Sequence, residues 1–172
     1  MQRRIKIYGD SILKQVAEPV TQFDEELDRL IEDMKETMDR APGIGLAAPQ
    51  IGVSKRVIIV TFGLDEGHPE VRELINPNIV AHSREREVCE EGCLSVPDYT
   101  ADVERWSQIE VEAFLRDGTP IFLKEKGTTA RIIQHETDHL NGVLFVDRLS
   151  PIKKEFAHRK LRRRLRKEPL SA

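Results

Sequence analysis

The sequence predicts an α+β fold: mostly antiparallel sheets packed around a histidine-bearing helix, with one helix before them and a basic helix after. Three observations carry this prediction. A 3.6-residue apolar period stands near the N-terminus at Phe23, Leu27, Leu30, Ile31, Met34 and Met38. Short β-branched runs fill the middle of the chain, two of them joined around Asp117-Gly118, a strong hairpin signal. Helical patterning then returns around His135 and again after Ser150-Pro151. Strands grouped between helices, rather than alternating with them, point to α+β.

Taken in order, residues 1–20 read as an extended arm, turned at Gly9-Asp10 and stopped at Pro19. The first helix begins near Thr21, which caps it with Asp24 three residues on. Its acids face away from the apolar stripe, and Pro42 prevents its continuation. Met34 and Met38 at helical spacing are core packing. Gly43-Ile44-Gly45-Leu46-Ala47-Ala48-Pro49-Gln50 is a small-residue stretch that lets backbone approach a ligand or another element closely. It lacks the Gly-Lys-Ser/Thr ending of a phosphate loop. The β-branched run 56–62 is a buried strand, and 63–70 a surface loop with a solvated His68. Residues 73–75 and 78–83 read as strands around Pro77, and 84–87 as a polar connection into the cysteine-bearing block 88–97. The hairpin strands are 108–115 and 121–125. The histidine helix starts at a Thr128 or Thr129 cap and ends at Asn141-Gly142. Ser150-Pro151 opens the last helix.

At 172 residues the chain predicts one domain, with its body over 1–150 and 151–172 appended to it as a basic helix or tail. Charged residues at 33% and hydrophobic ones at 39% are a balance of water-soluble globular proteins. No run approaches the ~18 apolar residues of a membrane span, and the first ten residues resemble no leader, so the expected location is cytoplasmic with no membrane partner. Two cysteines, Cys89 and Cys93, make no disulfide framework; a ligand or core role in a reducing compartment fits them better. The net charge of −3 hides an asymmetry: residues 151–172 carry nine Lys/Arg against two Glu, +7, leaving −10 on the first 150. A basic tail on an acidic body suggests a polyanionic partner for the tail.

The chemistry centres on His135-Glu136-Thr137-Asp138-His139, an H-E-x-x-H. On a helix the two histidines share a face and can hold one metal ion, with Glu136 placed as general base. A catalytic site usually takes three protein ligands plus water. The zinc-peptidase extension of the motif would put its last histidine at Phe145, so that route is closed. His68, His82, His158, Cys89 and Cys93 remain; Cys93, a thiolate donor beside Gly92, ranks first and Cys89 second.

Three blocks in this order, Gly43–Gln50 (G-I-G-L-A-A-P-Q), Glu91–Ser95 (E-G-C-L-S) and Gln134–His139 (Q-H-E-T-D-H), resemble the signature motifs of peptide deformylase, and the similarity runs through nearly the whole chain. The basic end is similar to that of the bacterial type with a helical C-terminus. The resemblance implies hydrolysis of the N-formyl group from the initiator methionine of nascent chains, releasing formate. It implies Cys93, His135 and His139 as metal ligands, with Fe(II) the family's usual metal and zinc, nickel or cobalt able to take the same site. Water activated by the metal then attacks the formyl carbonyl, with Glu136 as general acid/base and the Gln50 amide and Leu94 N–H stabilising the oxyanion. Gly45 matches a backbone contact to the substrate. Ile44 and Ile132 are candidates for the methionine pocket wall, and each also reads as a core residue. Thr128-Thr129 departs from the larger apolar residues often found there in the family, which changes the expected pocket shape. The basic helix is an expected ribosome contact through rRNA phosphates. Two rival classes remain at this stage, a zincin-like peptidase and a nucleic-acid-binding protein with a structural metal.

Overall fold

The computed structural model describes residues 3–167, with side chains as far as residue 165. The Arg166 and Lys167 side chains, counted in the basic tail, therefore lie outside the described residues, as do residues 168–172. Seven strands and three α-helices follow in the order α1 (Glu25–Asp39), β1 (Gly45–Ala47), β2 (Val57–Phe62), β3 (Glu70–His82), β4 (Arg86–Cys93), β5 (Val96–Trp106), β6 (Gln108–Phe114), β7 (Pro120–Lys126), α2 (Gly127–Leu140) and α3 (Pro151–Lys167). The sheets are antiparallel: a five-stranded one ordered β1-β2-β3-β6-β7 and a two-stranded one of β4 and β5.

Strand β2 explains how the core is layered. All six of its residues are buried, because period-2 alternation sends them to two different interiors. Ile58, Val60 and Phe62 pack with Ala130, Ile132, Ile133 and Leu140 of α2. Val57 and Ile59 pack with Leu27, Ile31, Met34 and Met38 of α1. A third cluster joins the β4–β5 hairpin to Phe145, Val146 and, from α3, Ala157 and Leu161.

Several sequence expectations need correction. Helix α1 is capped by Asp24, whose Oδ1 accepts from the amides of Glu26 and Leu27, not by Thr21; Phe23 precedes the helix and packs on Phe114 instead. The arm contains one 3-10 turn, Ser11–Lys14. The two strands expected around Pro77 are one strand, β3, with a register shift at Asn76-Pro77. Asn76 adopts φ +50° there, and its amide bonds both backbone groups of Val20 at 2.8 Å. The polar connection expected over 84–87 gives way at Arg86 to β4, which takes in most of the cysteine-bearing block, and β5 was not foreseen. Neither threonine caps α2 by itself: the Asp65 carboxylate accepts from the Thr128 amide at 2.9 Å and from its hydroxyl at 2.6 Å. No helix among the described residues is long and apolar enough to cross a membrane.

Candidate active site

Helix α2 carries His135 and His139 one turn apart, their ring centroids 5.1 Å from each other. The apolar positions of the same helix, Ala130, Ile133 and Leu140, are pinned in the core, so the histidine face is fixed toward the β4–β5 hairpin. Cys93 ends β4, and its Sγ lies 3.3 Å from His139 Nε2. One ligand atom from each of Cys93, His135 and His139 lies within 4.8 Å of the others. The remaining candidates are elsewhere. Cys89 is exposed, His82 stacks on Trp106 at 3.8 Å, and His158 bonds Tyr8 and Asp147. Phe145, which occupies the extended peptidase position, is buried and stacks on the His135 ring at 6.1 Å.

A break in the hairpin register brings the cysteine there. Glu91 faces Ala101 but Cys93 faces Val96, so five steps of β5 span what two steps of β4 do. The surplus bulges around Asp98, at φ +57°.

Gln50 sits at the end of a 3-10 turn, Ala48–Ile51, that directly follows β1. Its Oε1 accepts from the Ala47 amide at 2.8 Å, which fixes the carboxamide so that Nε2 faces Ser95 Oγ (3.1 Å) and Cys93 Sγ (3.5 Å). Leu94 lies on the other side of Cys93, its side chain against Gly43. Gly45 lies against Glu136: a β-carbon there would come within 2.5 Å of Glu136 Oε1 and 2.7 Å of Ile132 Cγ2. All six of Ile44, Gly45, Gln50, Leu94, Ile132 and Glu136 line one cavity of about 640 Å³ together with Cys93 and His135. Of the two wall candidates, Ile44 is half exposed while Ile132 is also part of the core. Thr128 lines the cavity too, whereas Thr129 lines a second hollow beyond the sheet.

Burial raises the Glu136 carboxyl to about 7, against the opposing pull of His135, and its Oε2 is buried with no hydrogen-bond partner. A carboxyl in that range can both take and return a proton near neutrality.

Sequence reading missed the network behind the histidines. Glu91, 6% exposed, accepts two bonds from Arg105 at 2.9 Å, one from Arg131 at 2.8 Å, and contacts His135 Nδ1 at 2.9 Å. Arg105 continues to Asp138 at 2.6 Å, and Asp138 also pairs with Arg148. Burial alone would raise the Glu91 pKa; the Arg105 fork and His135 outweigh it and hold the carboxyl well below the usual range. A charged acceptor on Nδ1 turns Nε2 of His135 toward the cavity, the orientation a ligating imidazole takes. Glu91 and Asp138 stand inside the motif blocks, so their positions were visible; that Arg105 joins them was not, since it falls in the unforeseen strand.

These residues fit a metal ion. A thiolate and two imidazoles suit a borderline or soft divalent cation, and three protein donors are the number that leaves a coordination position open. The orphaned Glu136 oxygen in the same cavity is unexplained by packing alone.

Comparison with known proteins agrees with this arrangement. The family model described as polypeptide deformylase matches residues 2–155. The chain is 47% identical over 154 residues to the peptide deformylase of Rhizobium meliloti (strain 1021), covering 90% of this chain and 88% of that one. A crystal structure of a peptide deformylase from Legionella pneumophila superposes with a TM-score of 0.86 at 44% identity, covering 99% of this chain and all of the other. The peptide deformylase of Thermus thermophilus gives 0.88 at 40% identity and 97% coverage of both chains. Motif blocks, fold and relatives converge: the chain belongs to the polypeptide deformylase family of enzymes.

Proposed function

We propose that this protein removes the N-formyl group from the N-terminal methionine of newly synthesised proteins, releasing formate, in the cytoplasm. The observation that carries the reading is the convergence of Cys93, His135 and His139 within 4.8 Å of one another, at a cavity that Cys93, His135, Gln50 and Glu136 line. Cys93, His135 and His139 would hold one divalent metal ion. A bound ion supplies Lewis acidity, lowering the pKa of water and polarising a carbonyl. Fe(II) is the family's usual metal; the donor set itself suits zinc, nickel or cobalt as well.

Glu136 takes the proton from the attacking water and returns it to the departing amine. Gln50 Nε2–H, from a position set by its bonds to Ala47 and Ser95, and the Leu94 amide donate to the formyl oxygen as charge develops on it. Gly45 offers backbone at the free edge of β1, where an extended peptide can add as a strand. Ile44 and Ile132 give the methionine side chain apolar walls. Residues 1–150 form the catalytic unit, and the basic segment 151–172, which contains α3, meets rRNA on the ribosome, with no membrane partner.

The test is formate release from a formyl-methionyl peptide by anaerobically purified protein, with metal content measured on the same sample. Turnover proportional to bound metal is expected. Cleavage of internal amides in unformylated peptide, with no formate released, would overturn the reading in favour of a peptidase.

A further inference from the structure

The bulge of β5 forms part of the cavity wall, since Pro97, Asp98, Tyr99 and Thr100 all line it. These four residues stand outside the hairpin register, so the β4–β5 ladder does not fix them. Thr100, at the far end of the bulge, donates to Glu90 of β4 at 3.0 Å, and Pro97, Asp98 and Tyr99 are held from α3. Arg164 Nη1 donates to the Pro97 carbonyl at 2.9 Å, and the same guanidinium pairs with the Asp98 carboxylate. Lys160 Nζ lies 5.3 Å from the centre of the Tyr99 ring. Tyr99 in turn packs on Phe145, and Phe145 on His135. The helix is seated by the buried Ala157 and Leu161, so its position is set by the core and passed to the wall.

The wall has an inner and an outer end. Val96 is buried beside Cys93, whereas the Asp98 side chain is 78% exposed. A formyl-methionyl group reacting near Cys93 and Glu136 occupies the inner end, and only the following residues of a peptide reach the bulge.

We propose that Arg164, supported by Lys160, is a positioning residue that sets the outer wall of the cavity, so that α3 governs recognition of peptide residues beyond the formyl-methionine. This rests on the deformylase reading above. Arg164 touches no reacting atom; it acts through Pro97 and Asp98.

The experiment compares kcat and KM on formyl-Met-Ala and on formyl-Met-Ala-Ser-Ala-Ser for the full-length, metal-loaded protein and for Arg164→Ala, Arg164→Lys and Asp98→Asn. Asn is chosen because it tolerates the left-handed backbone at this position. For Arg164→Ala the KM of the longer peptide should rise about 2- to 5-fold, the range expected for a partly exposed charge pair, while kcat and the KM of the short peptide hold. Asp98→Asn should give a similar rise, Arg164→Ala should add little on top of it, and Arg164→Lys should recover part of the loss. Equal changes on both peptides, or none on the longer one, would overturn the inference. Failure of the unsubstituted protein to release formate from either peptide would instead overturn the deformylase reading itself. Melting temperatures of each variant separate misfolding from either result.

Discussion

A glycine at position 45 is required by its neighbours more than by its own conformation. The close approach of Glu136 Oε1 leaves no room for a β-carbon, so Gly45→Ala has to displace either the strand or the carboxylate. Displacement of a reacting group by about 1 Å can cost roughly 100-fold in rate. We expect a loss of that order in kcat, with metal content unchanged; a near-normal kcat would mean that Glu136 need not sit where it does. Glu136→Ala removes the proton carrier altogether and should lower formate release at least about 100-fold while the metal stays bound. Near-normal activity in that variant would move the base elsewhere. The sequence marked both residues through the motif blocks, but their contact joins positions 91 residues apart in the chain and only folding brings it about.

At the scale of elements, α2 depends on partners outside itself. Its first turn is capped by Asp65 from the loop after β2, so Asp65→Ala should lower stability by about 0.5–2 kcal/mol, read as a shift in thermal melting. No change on melting would show that the cap contributes nothing. Its histidine face depends on β4 and β5 through Glu91. Glu91→Gln leaves the buried Arg105 and the partly buried Arg131 short of a charge, which typically costs about 3–5 kcal/mol for a buried pair such as Arg105–Glu91, and loosens His135. We expect melting at clearly lower temperature and metal affinity about 10- to 100-fold weaker, measured by chelator competition. Unaltered affinity would separate Glu91 from the metal site. The hairpin supplying these residues was hard to read because β4 is mostly exposed and charged, while β5 turns an arginine inward. Apolar alternation, the usual strand signal, is therefore missing from β4, whereas in β5 Tyr99, Ala101 and Val103 do alternate with Thr100, Asp102 and Glu104 until Arg105 takes the next inward position.

At the scale of the molecule, α3 has two faces. Ala157 and Leu161 are core residues, so cutting the helix away would expose the third cluster and confuse a binding test with a folding defect. Several of its charges are engaged internally: Lys154 with Asp147, Arg162 with Glu155, Arg164 with Asp98. Lys153 and Arg163 are exposed, and reversing them to Glu leaves the seated face untouched. If the helix meets rRNA, Lys153→Glu with Arg163→Glu should weaken ribosome co-sedimentation several-fold and reduce its salt dependence, without loss of activity on formyl-Met-Ala. Co-sedimentation equal to that of the unsubstituted chain would leave the basic helix a structural element only.

The sequence by itself determined the α+β class, the presence and order of the three helices, the approximate spans of β2, β6 and β7, and the residues of the three motif blocks. Each of those is written locally, in a 3.6- or 2-residue period, a turn dipeptide, or a helical i, i+4 pair of ligands. Only the tertiary structure decided how the Cys93 sulfur reaches the histidines, which charges stand behind them, and what braces the cavity wall. Those depend on a register break in β5, on an arginine buried between two acids, and on a helix docked from the far end of the chain. Long-range packing and the low-dielectric interior select such pairings, and neither leaves a periodic trace in the order of residues.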